Sequence, residues 1–389
     1  MTTRPLRRRL APAVALLLLA PWTAECVWGG FTLLGMPFVV VLLAPMYGGA
    51  ALLIRETARR LGLGWPGIVL LAAAFGVVQA GLVDQSLFNP DFLDDTQFAD
   101  TRAAAEATLV PGLGFSARQA VDYVGNHVAL TICAAIALVE SYLGAGRRSR
   151  PWLGRPGLAV TALLWLGGSL LVFADDGGRK GFLASPVQLL FAAGVAMVLI
   201  TVALRRARRP VGRPGDRDAA GQDTVDPDAV DPNSAGQHAV GQDAYPARSA
   251  GTWAAPTVAR RAPRPIWPAL VVLVAYLGAG IVPGWPGVGL ALMLAAVTAV
   301  LLTRWSRRAG WGQRHVLAAG SASVLAAAVS AYDVPTYSPS SPAADLVGDV
   351  AISVIVVLLV GGAWWRLRRA ARDRRRAAAP AGHPASPPA

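Results

Sequence analysis

Runs of roughly 20 apolar residues recur along this chain, and short arginine clusters separate them. This pattern constrains the fold more than any other feature. A run of that length in helical form spans the hydrocarbon core of a bilayer. Inside hydrocarbon every backbone N–H and C=O must be satisfied internally, so only helices or closed barrels cross it. The runs are continuous rather than alternating, which selects helices. Only 15% of the residues are charged, against about 25% in a soluble domain. The expectation is an all-α, polytopic membrane protein with about ten transmembrane helices, near 10–28, 38–55, 65–88, 120–143, 157–175, 187–204, 266–283, 285–303, 315–332 and 347–365.

The formal net charge of +13 is carried almost wholly by arginine, Lys180 being the only lysine. Arg4/Arg7/Arg8/Arg9, Arg55/Arg59/Arg60, Arg147/Arg148/Arg150, Arg205/Arg206/Arg208/Arg209, Arg304/Arg307/Arg308 and the Arg366–Arg376 cluster fall on alternate connections. The intervening connections carry only Arg102, Arg118, Arg179 and Lys180. The positive-inside rule then places both termini in the cytoplasm of a multi-pass plasma-membrane protein. Charge grouped in this way speaks for a lipid bilayer as the partner, not for nucleic acid. Trp28, Trp65, Trp152, Trp267, Trp285, Trp305, Trp364 and Trp365 fit interfacial anchors at span ends.

Leu10–Ala20 after Arg7–Arg9 is read as an uncleaved first span, with a signal peptide as the alternative. Residues 1–204 form a six-span region. Residues 205–264, rich in Asp, Gly, Ala, Pro and Arg and containing His238, read as a disordered cytoplasmic linker. Residues 265–366 hold four further spans, and 367–389 a disordered cytoplasmic tail whose basic start could lie on anionic lipid. Cys26 and Cys133 lie in apolar runs without metal-type spacing and read as small buried hydrophobes. No metal and no cofactor is expected.

Spans 1–4 hold nearly all the intramembrane polar groups, and such groups are costly enough to suggest function. The rise of a helix assigns each a depth. Gln79 on span 3 and Asn126 and His127 on span 4 fall roughly 10–14 Å below the outer end. Glu25, Asp84, Gln85 and Asn89 lie just above them. Together they make a candidate outer-half cavity, with Gly76, Gly81 and Gly125 allowing close helix approach. Simpler readings stand beside it. Glu25 could sit at headgroup level, and Asp84 with Asn89-Pro90 could merely end a helix. Gln79 could be interhelical glue and His127 a structural histidine. The loop 89–117, with Asp91, Asp94, Asp95, Asp100 and Glu106 against Arg102, reads as a solvated acidic loop that could also cover the cavity. At the inner face, Arg55, Glu56 and Glu140 suggest ion pairs that link spans 2 and 4, although Glu56 could pair along its own helix with Arg59 or Arg60.

Tyr47-Gly-Gly-Ala-Ala-Leu-Leu-Ile-Arg55-Glu56, Gly64-Trp65-Pro66, Gln79-Ala80-Gly81 and Gln85-Ser86-Leu87-Phe88-Asn89-Pro90 occur in that order. Over about residues 20–155 the chain resembles a family of uncharacterised bacterial integral membrane proteins. That family carries Glu-Glu-Gly where this chain has Gln79-Ala80-Gly81, then a helix with a histidine and a closing glutamate, here His127 and Glu140. The resemblance implies a membrane protein and no established activity. A looser likeness is to the CAAX-protease-like (CPBP) intramembrane peptidases, in which a Glu-Glu-x-x-x-Arg segment and Phe-x-x-x-His activate water. Here Glu56-x-x-x-Arg60 lacks the paired glutamate, and Tyr123-x-x-x-His127 lies roughly 20 Å from it along the membrane normal. An amide and a methyl at Gln79-Ala80 cannot act as a general base.

The reading therefore favours a non-catalytic membrane scaffold or one that binds a membrane-protein partner. A transporter or small-ligand-binding protein that uses the outer-half cavity comes next, and a degenerate CPBP-like peptidase third. No catalytic residue is assigned.

Overall fold

The computed structural model describes residues 6–175, 181–206 and 261–377. Over these the chain is all-helical, and it is embedded in a membrane as a multi-pass protein. Eight helices are long and apolar enough to cross: α2 (Met36–Leu61), α3 (Gly64–Val83), α4 (Ala117–Ser141), α5 (Arg155–Ala174), α6 (Pro186–Arg205), α8 (Gly284–Ser306), α9 (Gln313–Asp333) and α10 (Pro342–Ala377). Two apolar helices are shorter: α1 (Leu6–Pro21, wound on through Cys26) and α7 (Ile266–Gly278). The helix of α10 continues to Ala377, well into the segment expected to be a tail. Most of the expected linker (207–260, including His238) and the last residues, 378–389, lie outside the described residues.

Burial sorts the helices. In the apolar windows of α2, α3, α4 and α9, more than half of the residues are buried inside the protein, whereas in α5, α6 and α8 the share is 17%. Leu163, Leu190, Val198 and Met293 of the outer helices stand exposed, which suits contact with lipid. The central helices meet closely because small residues line their crossings. A β-carbon on Gly320 of α9 would lie 2.9 Å from Ala137 of α4, and one on Gly76 of α3 would lie 3.1 Å from the Val124 backbone of α4. Leu317, Val324 and Ala327 of α9 and Ile352 of α10 share one core with Trp22 and Cys26 of α1 and Leu130 and Ala134 of α4. The two halves of the sequence are thus packed as one bundle around α4.

Four of these helices widen from α- to π-helical winding over short stretches: Trp22–Cys26 after α1, Ala44–Gly48 within α2, Gln79–Val83 ending α3 and His127–Ala134 within α4. The i to i−5 bonds are explicit at Val27 N–H to Trp22 O (3.1 Å) and Asp84 N–H to Gln79 O (3.0 Å). Proline explains two of them. Pro21 precedes the first wide turn and Pro45 lies in the second, and a proline lacks the N–H that regular winding needs. Wide turns of this type occur frequently at functional sites.

Candidate functional site

Each of the four wide turns carries a residue of one polar cluster: Glu25, Tyr47, Gln79 and His127. The Tyr47 hydroxyl donates to Glu25 Oε1 at 2.6 Å. The Tyr47 ring meets the His127 imidazole edge-on at 5.6 Å, and Phe75 stacks on its face at 5.5 Å. Gly76 makes this possible: its missing β-carbon would lie 3.2 Å from the His127 Cβ. One turn further out, Gln79 Nε2 donates to Asp84 Oδ2 at 3.1 Å, and Asp84 Oδ1 accepts from the Ser86 backbone at 2.9 Å. Glu25 and Asp84 are charge neighbours, and Tyr123, one turn before His127 on α4, lies near Asp84. Gln79 and Tyr47 are buried, whereas Glu25, Asp84, Tyr123 and His127 keep partial accessibility.

The cluster has a roof. Tyr337, in the connection between α9 and α10, packs against Trp28, Phe31 and Phe98 at ring separations of 5.2–5.4 Å. Its backbone donates to Gly30 O at 2.9 Å and accepts from Gln97 N–H at 3.2 Å. Burial holds the Tyr337 phenol well above its ordinary pKa, with Glu25, Tyr123 and Asp84 adding to the effect. The Tyr337 phenol therefore lies within the field of both carboxylates.

Three buried polar atoms in this cluster lack a hydrogen-bond partner: Gln79 Oε1, Tyr123 OH and His127 Nε2. A buried polar atom without a partner costs about 1–3 kcal/mol. The Gln79 amide orientation is fixed, because its nitrogen already donates to a carboxylate. The atom left over is consequently an acceptor.

The other sequence candidates find different neighbours. Gln85 adopts φ +56°, a left-handed conformation unusual outside glycine, as the chain turns away from α3. Its Oε1 accepts from the Ala184 backbone at 2.6 Å and so ties this turn to the start of α6. Asn89 Oδ1 accepts from the Asp91 N–H at 3.0 Å, a local turn. Asn126 sits on an exposed face of α4, where its Oδ1 accepts from Tyr276 OH at 3.2 Å. These three belong to loop and helix tethers rather than to the cluster. His315 closes the start of α9, stacked on Trp311 at 4.6 Å and bonded to Pro263 O at 2.8 Å.

Further along α2 and α4, Arg55, Glu56 and Glu140 are fully buried. Arg55 reaches Glu56 at 2.7 Å, Glu140 at 3.1 Å and the Arg148 and Arg150 carbonyls at 2.8 and 3.0 Å, with Trp152 stacked 3.4 Å from its guanidinium carbon. Arg59 and Arg60 complete the network, to Glu140 at 2.6 Å and Glu56 at 3.1 Å. Both sequence alternatives thus coexist: Arg55 links α2 to α4, and Glu56 also pairs along its own helix. Glu56 accepts in addition from the Trp152 and Leu153 N–H groups. Its lone pairs are taken up by the network, and it shares nothing with His127.

Sequence reasoning did not single out Tyr47, Phe75 or Tyr337 as parts of the site. A phenol at membrane depth was the available signal for Tyr47. For Tyr337 there was none, since its place depends on how α9 and α10 dock. Among the described residues no group of three or more His, Cys, Asp or Glu side chains is placed to hold a metal ion. No family model, curated protein or solved structure matches the chain.

Proposed function

We propose that the protein binds, and in the course of transport releases, a small polar ligand in the outer-half cluster of Glu25, Tyr47, Gln79, Asp84, Tyr123 and His127. In this reading the chain crosses the plasma membrane of a bacterium ten times, with both termini in the cytoplasm. The alternation of the arginine clusters supports that orientation. The family suggested by the Tyr47–Glu56 and Gln85–Pro90 segments adds a membrane location and no activity.

One observation carries the reading: three unpartnered buried polar atoms gathered where four helices widen. In the inner network, by contrast, the charged groups pair with one another. Atoms held ready without partners suit a ligand that supplies them. The scaffold reading draws on the inner network and on the Gln85 and Asn126 tethers, which lock helices together without an open valence. A peptidase would need Glu25 or Asp84 as the base that activates water beside His127, since Glu56 is occupied elsewhere; Glu25 accepts from Tyr47 and Asp84 from Gln79 and the Ser86 N–H.

The test is His127→Phe, which keeps the stack on Phe75 and removes the unpartnered nitrogen. A binding site sacrifices stability for readiness, so the variant should be as stable as wild type or more so in reversible SDS unfolding. A loss of stability would make His127 helix glue and favour the scaffold.

A further inference from the structure

We infer that an apolar groove between α1, α4 and α10 holds one acyl chain of a phospholipid, whose anionic headgroup sits at Arg147 and Arg366. The groove is separate from the outer-half cluster, and the inference does not depend on a ligand there. Its volume of about 570 Å³ falls within the range of small-molecule sites, about 300–1,000 Å³. Ala11, Ala15, Leu18 and Trp22 line it from one face of α1, at the i, i+4, i+7, i+11 spacing of a helix. Ala11 to Trp22 spans roughly 16 Å along the axis, half of the ~30 Å hydrocarbon core, which is the depth of one leaflet. The two alanines leave one end wide, and Trp22 lies at the other. Across from α1, the Tyr142 hydroxyl donates to Leu359 O at 2.7 Å and pins the end of α4 to α10; both residues line the groove.

Charge stands at one end only. Among the described residues Arg147 is the one charged side chain in the lining, and no Asp or Glu borders the groove. Arg366 of α10 is exposed and donates to the Tyr142 carbonyl at 3.1 Å, so a second guanidinium stands at the same end. Guanidinium groups match the geometry of a phosphate, and basic pockets between membrane helices recognise anionic headgroups in this way. The rest of the lining suits a hydrocarbon chain. Ala11, Ala15 and Leu18 are exposed as well as lining the groove, so it opens sideways along a membrane-embedded helix. A tail that moves there from the bilayer gains no hydrophobic energy, since it leaves one apolar medium for another. It supplies contact atoms to walls that would otherwise lack them, and the headgroup decides which lipid stays.

The experiment is native mass spectrometry of the full chain, delipidated in detergent and titrated with phosphatidylglycerol, phosphatidylethanolamine or diacylglycerol. One phosphatidylglycerol per chain should bind, more tightly than phosphatidylethanolamine, with diacylglycerol weakest. Arg147→Gln and Arg366→Gln should each weaken phosphatidylglycerol by about fivefold, the value of one basic residue at a lipid surface, and leave diacylglycerol unchanged. Ala15→Phe, at an exposed position, should fill the groove and remove the tight site for every lipid. Ala11→Phe, one turn away and also exposed, makes the same test should circular dichroism show that Ala15→Phe does not fold. Equal binding of the three lipids, or phosphatidylglycerol binding unchanged in both arginine variants, overturns the proposal, because the headgroup is then not read. Binding unchanged in both phenylalanine variants overturns it by placing the lipid elsewhere, and so does the absence of tight binding by any lipid. A dimer that the phenylalanine variants dissociate overturns it in favour of a second copy in the groove. None of these outcomes touches the outer-half cluster, which His127→Phe tests.

Discussion

Replacing Arg55 by methionine should cost far more stability than replacing Arg60, although both arginines contact Glu56. Arg55 is fully buried and donates four hydrogen bonds, two of them to carboxylates. At about 1.5–3 kcal/mol for each charged bond and about 1 for each carbonyl, their simple sum runs to about 5–8 kcal/mol. The real loss is smaller. Arg59 still neutralises Glu140 and Arg60 still neutralises Glu56, and methionine fills most of the space over Trp152. Breaking a buried pair generally costs about 3–5 kcal/mol, and the surviving partners place Arg55→Met near the lower end, about 3 kcal/mol. The Arg60 side chain is 31% exposed, so its pairing is screened and Arg60→Met should cost at most about 1 kcal/mol. SDS titration followed by circular dichroism measures both. The amide of Trp152, held by Glu56, should exchange faster with solvent only in Arg55→Met. Equal losses in the two variants, or an Arg55→Met loss under about 1 kcal/mol, would refute the claim that burial sets the value of these pairs.

Other consequences are as direct. A methyl group at Gly48 would be forced onto the Leu17 backbone where α1 crosses α2, so Gly48→Ala should cost about 1–3 kcal/mol in the same titration, and Gly167→Ala, with open space around it, close to nothing. Gln85→Ala should release the Ala184 amide, raising its hydrogen-exchange rate; unchanged protection there would mean that the 2.6 Å bond is not what holds the turn. The Tyr337 phenol, raised by burial and nearby carboxylates, should stay neutral through pH values where free tyrosine ionises, near 10. Because its folded pKa is the higher one, its contribution is complete below the unfolded pKa and fades as pH rises through the folded value. An ultraviolet titration in which Tyr337→Phe removes an ordinary, early-titrating tyrosine would contradict this.

Much of the architecture was legible in the sequence because membrane helices declare themselves locally. Twenty apolar residues, a flanking arginine and a tryptophan at the rim require no knowledge of distant partners. Eight of the expected spans stand as long helices at the expected places. Depth arithmetic set Gln79 and His127 at one level, whereas the imidazole packs at Phe75 and Gly76, about one turn before Gln79 on α3. Which way each side chain faces was not legible. Asn126 and His127 are adjacent in sequence, yet one bonds Tyr276 and the other packs against Phe75.

The sequence by itself determined that the chain is a bundle of membrane helices with its polar groups concentrated in the first four, since both follow from the local cost of placing charge in hydrocarbon. Only the tertiary structure decided that Glu25, Tyr47, Gln79 and His127 meet on four wide turns, that α9 sits against α4, and that Tyr337 closes the cluster from more than 200 residues away. The reason is physical. Local apolarity fixes that a segment is buried in the membrane. Its rotation and its neighbours depend on how small residues let helices approach, and that is a property of pairs of helices rather than of any one segment.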